Sequence, residues 1–456
     1  MINAGDTAWV LASSALVLLM TPGLAFFYGG MVRAKSVLNM LMMNFICLAV
    51  VAVLWVLYGY SMSFAPDAKG GLVGNLDNIG LKSTIDQVTG AAPTVADNAA
   101  TGHQIPVLAF VMFQLMFAII TPALISGAIA DRAKFWAWGL FVVLWATIVY
   151  FPVAHWVFAF DVTDSAGNII AHGGWIANKL KAYDFAGGTA VHINAGSAAL
   201  AAALVLGKRK GWPTEKMRPH NVPFVLLGAS LLWFGWFGFN SGSSLKADAI
   251  AANAFTTTMV ATAAATLGWL LVEQFRDGKP TTVGAASGAV AGLVAITPAC
   301  AFVNALGGVA IGLIAGAVCA LAVSLKYRFG FDDSLDVVGV HLVGGWVGTV
   351  LVGFFCTTTA GAALKNGVFT GGGFDQLWRQ IVAAAAVMTY SFVLAYIIAK
   401  VIDMTVGFRV SEDEETTGVD TAEHAESAYE LGTLAGVGSP YRPVGTTTTA
   451  TKAVDA

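Results

Sequence analysis

The segment Asp184–Gly196 reads DFAGGTAVHINAG, and a second segment, Asp333–Gly345, reads DSLDVVGVHLVGG. Each has an aspartate, a histidine eight residues later and a glycine four residues after the histidine. Both segments lead into apolar runs long enough to cross a membrane. Ionisable residues inside membrane spans are rare and are functional by default. A matched pair in two halves of one chain therefore predicts a functional site.

The composition is that of a polytopic membrane protein. Of the 456 residues, 57% are hydrophobic and 11% are charged, with a mean hydropathy of +0.72, whereas a soluble protein has roughly a quarter charged residues. The net charge of −3 provides no basic field for nucleic acid. Four single cysteines in apolar segments argue against a disulfide framework or a zinc site. No Walker loop, nucleophile motif or metal-ligand spacing is present, so we expect neither an enzyme nor a cofactor.

Apolar runs of about 20 residues mark membrane spans and predict an all-α protein with eleven transmembrane helices. The predicted spans are 7–32, 37–64, 105–130, 135–160, 187–206, 222–242, 252–273, 281–298, 305–325, 337–356 and 377–402. Residues 1–406 are thus expected to form a transmembrane domain, and residues 407–456 a cytosolic regulatory tail. The tail is polar and acidic, with a short helix expected near 420–431 and disorder expected in about the last 20 residues.

Basic residues predict the orientation, because cytoplasmic loops are enriched in lysine and arginine. The loops after odd-numbered spans hold Arg33, Lys35, Arg132, Lys134, Lys208, Arg209, Lys210, Lys216, Arg218, Arg276, Lys279, Lys326 and Arg328, and the loops after even-numbered spans hold Lys69, Lys82, Lys179, Lys181, Lys246 and Lys365. The excess places the odd loops in the cytoplasm. We therefore expect the N-terminus outside, the C-terminus inside and the protein in the cytoplasmic membrane.

The span count also predicts an inverted repeat. Spans one to five and six to ten each contain five helices, and an odd number per half turns the second half over in the membrane. Such repeats build substrate sites near the bilayer midplane. Glycines at a spacing of four in span eight (Gly284, Gly288, Gly292) and span nine (Gly308, Gly312, Gly316) predict close helix packing.

The two span histidines are the leading candidates for function. Eight helical residues place His192 and His341 roughly 12 Å from their aspartates, near the centre of a ~30 Å apolar core. Burial without a counter-charge favours neutral imidazoles, and a facing pair would suit a small neutral solute or a proton relay. The alternative is a simple interhelical hydrogen bond. We expect Asp184 and Asp333 to act as helix caps, with Asp184 adding negative potential at the outer mouth. His155 has no counterpart and is expected to be structural.

Aromatic residues form a second candidate constellation. Phe113 and Phe117 share one face of span three, and WFGWFGFNSGSS supplies Trp236, Phe239 and Ser243 at the outer end of span six. Aromatic faces attract cations, and a serine hydroxyl can accept a hydrogen bond from an ammonium-type ligand. The alternative is an interfacial aromatic belt.

These residues resemble the ammonium transporter family (Amt/Mep/Rh) over almost the whole chain. DFAGGTAVHINAGSAALAAALVLGKR, from Asp184 to Arg209, is the most specific match, and DDSLDVVGVHLVGG, WFGWFGFNSGSS and FQLMF agree independently. The resemblance implies a homotrimer with one pore per subunit, His192 and His341 as paired pore histidines, and Phe117 and Phe239 as a gate. It also implies an outer ammonium site at Phe113, Phe117 and Ser243, near Asp184.

In one position the sequence departs from many members of that family. They place a tryptophan over the outer site, where this chain has Phe158, with Trp156 two residues earlier. Phenylalanine binds cations more weakly and has no N–H donor, so either the site is weaker or another ring, such as Trp156 or Trp236, contributes. The tail also resembles a helix that contacts PII signalling proteins, although Thr416 and Thr417 replace more usual charged residues.

The sequence therefore predicts transport of ammonium or ammonia, with methylammonium as an analogue and the lipid bilayer as surroundings. Two alternatives remain open. An ammonium sensor could use the same fold, although about fifty tail residues are few for a signalling domain. A channel for another small neutral solute, such as water or carbon dioxide, would use the same histidine pair.

Overall fold

The structure, a computed structural model, describes residues 2–84, 94–96, 104–163, 166–215 and 217–429. Its membrane helices, in chain order, are α1 (Ala4–Met31), α2 (Val37–Phe64), α3 (Val107–Ile129), α4 (Phe135–Phe158), α5 (Gly188–Leu206), α6 (Val222–Gly242), α7 (Ala249–Asp277), α8 (Thr282–Ile296), α9 (Ala305–Phe329), α10 (Val338–Phe355) and α11 (Asp375–Thr405). Ten of these helices are long and apolar enough to span a membrane. The remaining one, α8, is apolar but has only 15 residues. The predicted all-α membrane fold is confirmed.

Short elements complete the described part of the chain. Two small antiparallel pairs occur, β1 (Thr94–Ala96) with β2 (Gln104–Pro106) and β3 (Val162–Thr163) with β4 (Ile169–Ala171). The tail forms α12 (Glu412–Thr417) and α13 (Val419–His424).

The prediction of a short helix near 420–431 is wrong in the extent of the helix. Gly418, with φ of 136°, separates α12 from α13, and α13 ends where Ala425 enters the left-handed region at φ 54°. Because Ser411 and Glu414 form a capping box, a helix begins already at Glu412. The segment predicted to be disordered lies outside the described residues.

The glycine-rich faces of α8 and α9 both pack against α7. A Cβ at Gly288 would lie 2.7 Å from the Cβ of Trp269 on α7, and Gly312 and Gly316 leave no room for a Cβ beside the α7 carbonyls of Ala261 and Ala265. The predicted close packing is confirmed, since small residues allow membrane helices to approach closely.

The helices α5 and α10 cross in opposite directions. Gly196, which follows His192, lies against Leu342, while a Cβ at Gly345, which follows His341, would lie 3.1 Å from the carbonyl of Gly188. Each helix starts with a π-helical turn, Gly188–Ile193 and Val338–Leu342, and each turn contains the histidine. This matched pair of turns agrees with the inverted repeat. Following the predicted orientation, we call the Asp184 end of the molecule outer and the Asp333 end inner.

Candidate functional site

The two span histidines face each other in the interior. His192 and His341 are 1% and 2% exposed, their Nδ1 atoms are 3.3 Å apart, and their rings lie 5.4 Å apart at 20°. The wide π-helical turns, which often occur at functional sites, place both side chains on the surface where α5 and α10 meet. The sequence thus predicted a pair that the structure brings into contact.

The contact between the two Nδ1 atoms restricts the tautomers of a neutral pair. One ring must donate its Nδ1–H and the other must accept it. The first ring then has an acceptor at Nε2, and the second has a donor there. The Nε2 of His192 is buried and has no hydrogen-bond partner among the described residues. The pair therefore presents one acceptor and one donor to whatever lies beside it.

A narrow cavity adjoins the histidines. Its volume is about 10 Å³, close to the minimum of roughly 10–15 Å³ that one water molecule needs. The lining residues are Met20, Leu24, Ile120, Leu124, Val191, His192, Leu232, Trp236, Phe239, Val290 and His341. Apart from the two histidines and the indole of Trp236, the lining consists of aliphatic, phenyl and methionine side chains, so a small solute here has few polar partners.

Two aspartates cap the histidine helices. The carboxylate of half-buried Asp184 accepts from the backbone N–H groups of Gly187 (2.8 Å), Gly188 (2.6 Å), Thr189 (2.7 Å) and Ala190 (3.2 Å), and from the Thr189 hydroxyl. Burial raises its pKa, and these hydrogen bonds act in the opposite direction. The sequence-based expectation of a helix cap agrees with this geometry.

Asp333 occupies the corresponding place on α10. It accepts from the N–H groups of Val337 (3.1 Å) and Val338 (2.7 Å). Burial raises its pKa to about 6, although the nearby ammonium of Lys326 acts to lower it. Each aspartate therefore caps the first turn of a helix, and that turn contains a site histidine.

Two stacked phenylalanines lie on the outer side of the histidine pair. The rings of Phe117 and Phe239 are 4.2 Å apart at 30°, and each is 1% exposed. Phe239 lies 6.2 Å from His192. The stack therefore lies next to the histidine pair, with Phe239 nearer to His192.

Further groups surround the outer face of this stack. Phe113 and Phe158 lie 5.0 Å and 6.5 Å from Phe117. The Ser243 hydroxyl donates to the carbonyl of Phe239 at 2.8 Å, which leaves its oxygen lone pairs available as acceptors. The structure thus brings together Phe113, Phe117 and Phe158, and it places Ser243 one turn beyond Phe239 on α6.

Neither Trp236 nor Trp156 lies where its indole could replace the tryptophan that many members of the resembling family have at the position of Phe158. Trp236 stacks on His192, with ring centroids 5.4 Å apart at 17°, and donates to Thr297 Oγ1 at 2.8 Å. Trp236 was expected in the outer site, but the structure places it beside the histidine pair. Trp156 packs against Tyr390 and donates to the carbonyl of Leu72 at 2.7 Å. The third ring beside Phe113 and Phe117 is therefore Phe158.

Sequence reasoning missed Thr297 and the aliphatic lining of the cavity. Leu24, Ile120 and Val290 are apolar residues in apolar spans, so no sequence signal separates them from lipid-facing neighbours. Thr297 follows the short helix α8, and its hydroxyl becomes informative only through its contact with Trp236.

The tail docks on the inner loops. Glu415 accepts from Arg409 at 2.7 Å and from the backbone N–H of Lys210 at 2.7 Å. Asp420 accepts from the N–H groups of Leu38 (3.0 Å) and Asn39 (2.8 Å), at the start of α2. Burial raises the pKa of Asp420. The tail thus contacts the start of α2 and the loop that follows α5.

Comparison with known proteins gives a consistent result. The chain matches the Ammonium Transporter Family over residues 8–429. It is 60% identical to an ammonium transporter of Mycobacterium tuberculosis (strain ATCC 25618 / H37Rv), over 96% of this chain and 93% of that protein. It is 46% identical to one of Bacillus subtilis (strain 168), over 93% and 98%. The crystal structure of Candida albicans Mep2 superposes with a TM-score of 0.81 at 35% identity, covering 94% of this chain and 91% of that one. A structure described as a sensor Amt protein superposes with 0.79 at 27% identity, over 92% and 98%.

Proposed function

This chain belongs to the ammonium transporter family, which comprises transporters and channels rather than enzymes, and on that basis we propose that it carries ammonium or ammonia across the membrane along His192 and His341. The observation that carries the proposal is the buried histidine pair, with Nδ1 atoms 3.3 Å apart, directly beneath the stacked rings of Phe117 and Phe239. A polar pair in a cavity of about 10 Å³ suits a molecule of the size of ammonia.

The outer site would collect ammonium. The faces of Phe113, Phe117 and Phe158 attract a cation through their quadrupoles, which is worth roughly 0.5–2 kcal/mol depending on desolvation. Ser243 can accept a hydrogen bond from the ammonium while it donates to Phe239. Asp184 adds negative potential but acts mainly as a cap, because its carboxylate already accepts from the start of α5.

The stacked phenylalanines would force ammonium to give up its proton. Rings 4.2 Å apart leave no room for a hydrated ion, and stripping water from a charge costs several kcal/mol even in a relaxed protein interior. Ammonia avoids this cost. The bonding pair of the broken N–H bond stays on nitrogen, and the proton either remains in outer water or follows along the histidines.

The histidine pair would then give ammonia polar partners in a cavity whose described lining is otherwise mostly apolar. The acceptor Nε2 of one ring can take a hydrogen bond from ammonia, and the donor Nε2–H of the other can provide one. Trp236, stacked on His192, holds that ring in place. The pair therefore lowers the cost of crossing without binding a charge.

We extend the proposal to the setting of the pore. The protein would lie in the cytoplasmic membrane as a homotrimer, with the N-terminus outside and the C-terminus inside. Residues 1–406 would form the transport domain, and the tail from residue 407 would be regulatory. The docked segment Glu412–His424 offers an acidic surface at the inner end, which supports a PII signalling protein as a candidate partner.

Methylammonium uptake into proteoliposomes tests the function. We expect saturable uptake that weakens in Ser243→Ala, because the ammonium loses a hydrogen-bond acceptor. Ser230→Ala is the matched control, since Ser230 lies on the same helix, is exposed, and makes the same bond to the carbonyl four residues earlier, at 2.8 Å. No saturable uptake, together with intact water or gas flux, would contradict transport of ammonium and favour a channel for another neutral solute.

A sensor function is the second candidate, because one structural neighbour is described as a sensor Amt protein. A sensor would bind methylammonium without net uptake. Equilibrium binding measured on the same reconstituted protein separates binding without uptake from transport.

A further inference from the structure

A third buried histidine lies near the outer end of α4. His155 is 0% exposed and precedes Phe158 by about one helical turn. Its Nδ1 lies 3.0 Å from the carbonyl oxygen of Ser63, at the end of α2. Its Nε2 lies 3.4 Å from the Oδ1 of Asp67, whose side chain is 8% exposed. The proposed transport path uses neither residue.

These two contacts fix the protons on the ring. A carbonyl oxygen can only accept, so Nδ1 must be protonated. In a neutral imidazole, Nε2 would then be an acceptor. A carboxylate is also only an acceptor, so a neutral His155 would set a lone pair against the Asp67 oxygen in a dry site, which is unfavourable. One additional proton removes the conflict.

We propose that His155 and Asp67 form a proton-holding latch, in which His155 donates from both ring nitrogens and Asp67 accepts as a carboxylate. The pair is then neutral as a whole, and its hydrogen bond is charge-assisted. The latch ties the loop after α2 to α4. Both are positioning residues, because neither lines the cavity or touches the stacked phenylalanines.

The latch has support from neighbouring contacts. Trp156 donates to the carbonyl of Leu72 at 2.7 Å, so the same loop contacts the next residue of α4. The backbone N–H of Asp67 donates to the carbonyl of His172 at 2.8 Å, and Gly174 donates to the carbonyl of Ala159 at 2.8 Å. The outer end of α4 is therefore enclosed by two loops, and its last helical residue is Phe158.

The latch affects the proposed outer ammonium site through Phe158, and this effect rests on the proposed function. Phe158 reaches Phe117 at 6.5 Å from the end of the enclosed helix. While the latch holds its proton, α4 and Phe158 stay in place. When rising pH removes the proton, the Nε2 of His155 and the Oδ1 of Asp67 are both acceptors and repel each other. The loop and α4 then move apart, and the outer site loses the ring of Phe158.

The other charged groups on these loops are exposed or have partners other than His155. His172 is 71% exposed at its side chain and lies 3.6 Å from Asp161. Lys179 donates to the carbonyl of Gly70 at 3.0 Å, and Lys69 is exposed. Of the ion pairs formed by described residues, the one that includes His155 is with Asp67.

Two substitutions at Asp67 separate the proton from the shape of the side chain. In Asp67→Asn, the amide can donate to Nε2 of a neutral imidazole, so the latch forms without an extra proton. Asp67→Ala removes the partner altogether. His172→Ala is the control, because His172 is an exposed histidine on the same loops. His155→Gln identifies the His155 signals in spectra.

Nitrogen chemical shifts of labelled histidine report the proton directly, and methylammonium uptake reports its effect, both across a pH range in which methylammonium stays protonated. We expect both ring nitrogens of His155 to be protonated at acidic pH in the wild type and only Nδ1 in both Asp67 variants. We expect the KM of the wild type to rise several-fold with pH, that of Asp67→Asn to stay low and flat, and that of Asp67→Ala to stay high. The His172→Ala profile should follow the wild type.

A neutral wild-type His155 at every pH, or identical KM profiles for wild type, Asp67→Asn and Asp67→Ala, would overturn the latch while leaving transport intact. If the wild type takes up no methylammonium, the proposed function fails instead. The nitrogen shifts would still decide whether the pair holds a proton.

Discussion

Replacing Asp184 by asparagine tests how the histidine helix is held. The substitution keeps the shape of the side chain but removes the charge and converts one acceptor oxygen into an NH₂ donor. Four backbone N–H groups and the Thr189 hydroxyl point at the carboxylate. If the remaining oxygen serves Gly187 and Gly188, the N–H groups of Thr189 and Ala190 lose their acceptor.

The expected cost follows from those two orphaned donors. A buried donor without a partner costs about 1–3 kcal/mol, and the site is half-buried, so we expect Asp184→Asn to lose about 2–4 kcal/mol of unfolding free energy. The control is Asp375→Asn, at the outer start of α11, because Asp375 pairs with Lys365 and Arg379 at a partly exposed site. Exposed ion pairs of this kind contribute little to stability, so Asp375→Asn should leave it nearly unchanged.

Denaturant titration of the purified protein, followed by methylammonium uptake, measures both effects. We expect lower stability and weaker uptake in Asp184→Asn, because His192 lies one to two turns along the helix that the cap holds. Burial and hydrogen bonding oppose each other in setting the pKa of Asp184, and asparagine resembles the protonated acid. Unchanged stability would therefore show that Asp184 is protonated at neutral pH and would refute the cap as described.

Three further predictions concern the histidines, the outer site and the inner ion pairs. His192→Ala and His341→Ala should each change the selectivity or the pH dependence of methylammonium uptake, and unchanged behaviour of both would exclude a role in conduction. Phe158→Trp should lower the KM for methylammonium, because indole binds cations more strongly; an unchanged or raised KM would show that this ring does not contact the cation. Arg209→Gln should cost about 3–5 kcal/mol of stability, because it removes the guanidinium 2.9 Å from the buried carboxylate of Asp332 and leaves that carboxylate with the more distant Arg132, 3.9 Å away. Burial by itself would raise the pKa of Asp332, but the hydrogen bonds and charge of Arg209, with the charge of Arg132, outweigh it and lower that pKa. The loss should therefore be greatest near neutral pH and shrink as the pH falls, because without Arg209 the folded variant binds a proton at Asp332 at a higher pH than the wild type does; a loss in denaturant titrations that stays the same from neutral pH to about pH 4 would contradict it.

The membrane helices were predictable because hydropathy is a direct physical requirement of the bilayer. Each of the eleven predicted spans begins and ends within four residues of a helix in the structure. The eighth span was predicted slightly too long, because Thr297 and Pro298 follow the last helical turn in an apolar stretch. Sequence hydropathy cannot distinguish an apolar turn from an apolar helix.

The histidine pair was also predictable, but its environment was not. Matching positions in inverted halves bring two residues to the midplane whatever the details of packing. The partner of Trp236 depends instead on the rotation of α6, and periodicity gives the face of a helix rather than its neighbour. The indole therefore contacts His192 rather than the outer site.

Long-range polar contacts could not be predicted from the sequence either, because periodicity does not identify the neighbour of a side chain. His155 was expected to be structural because it has no counterpart in the other half of the chain. Its contact with Asp67 joins a span to a loop 88 residues earlier. No spacing rule predicts such a pair, because the loop conformation decides it.

Paired uptake of radiolabelled methylammonium and rubidium into the same proteoliposomes tests the central claim most directly. The claim is that the stacked rings and the histidine cavity pass ammonia after deprotonation and exclude a bare cation. Rubidium cannot lose its charge, so we predict saturable methylammonium uptake with rubidium uptake no greater than in protein-free vesicles. Rubidium uptake that rises in parallel with methylammonium uptake would contradict the account.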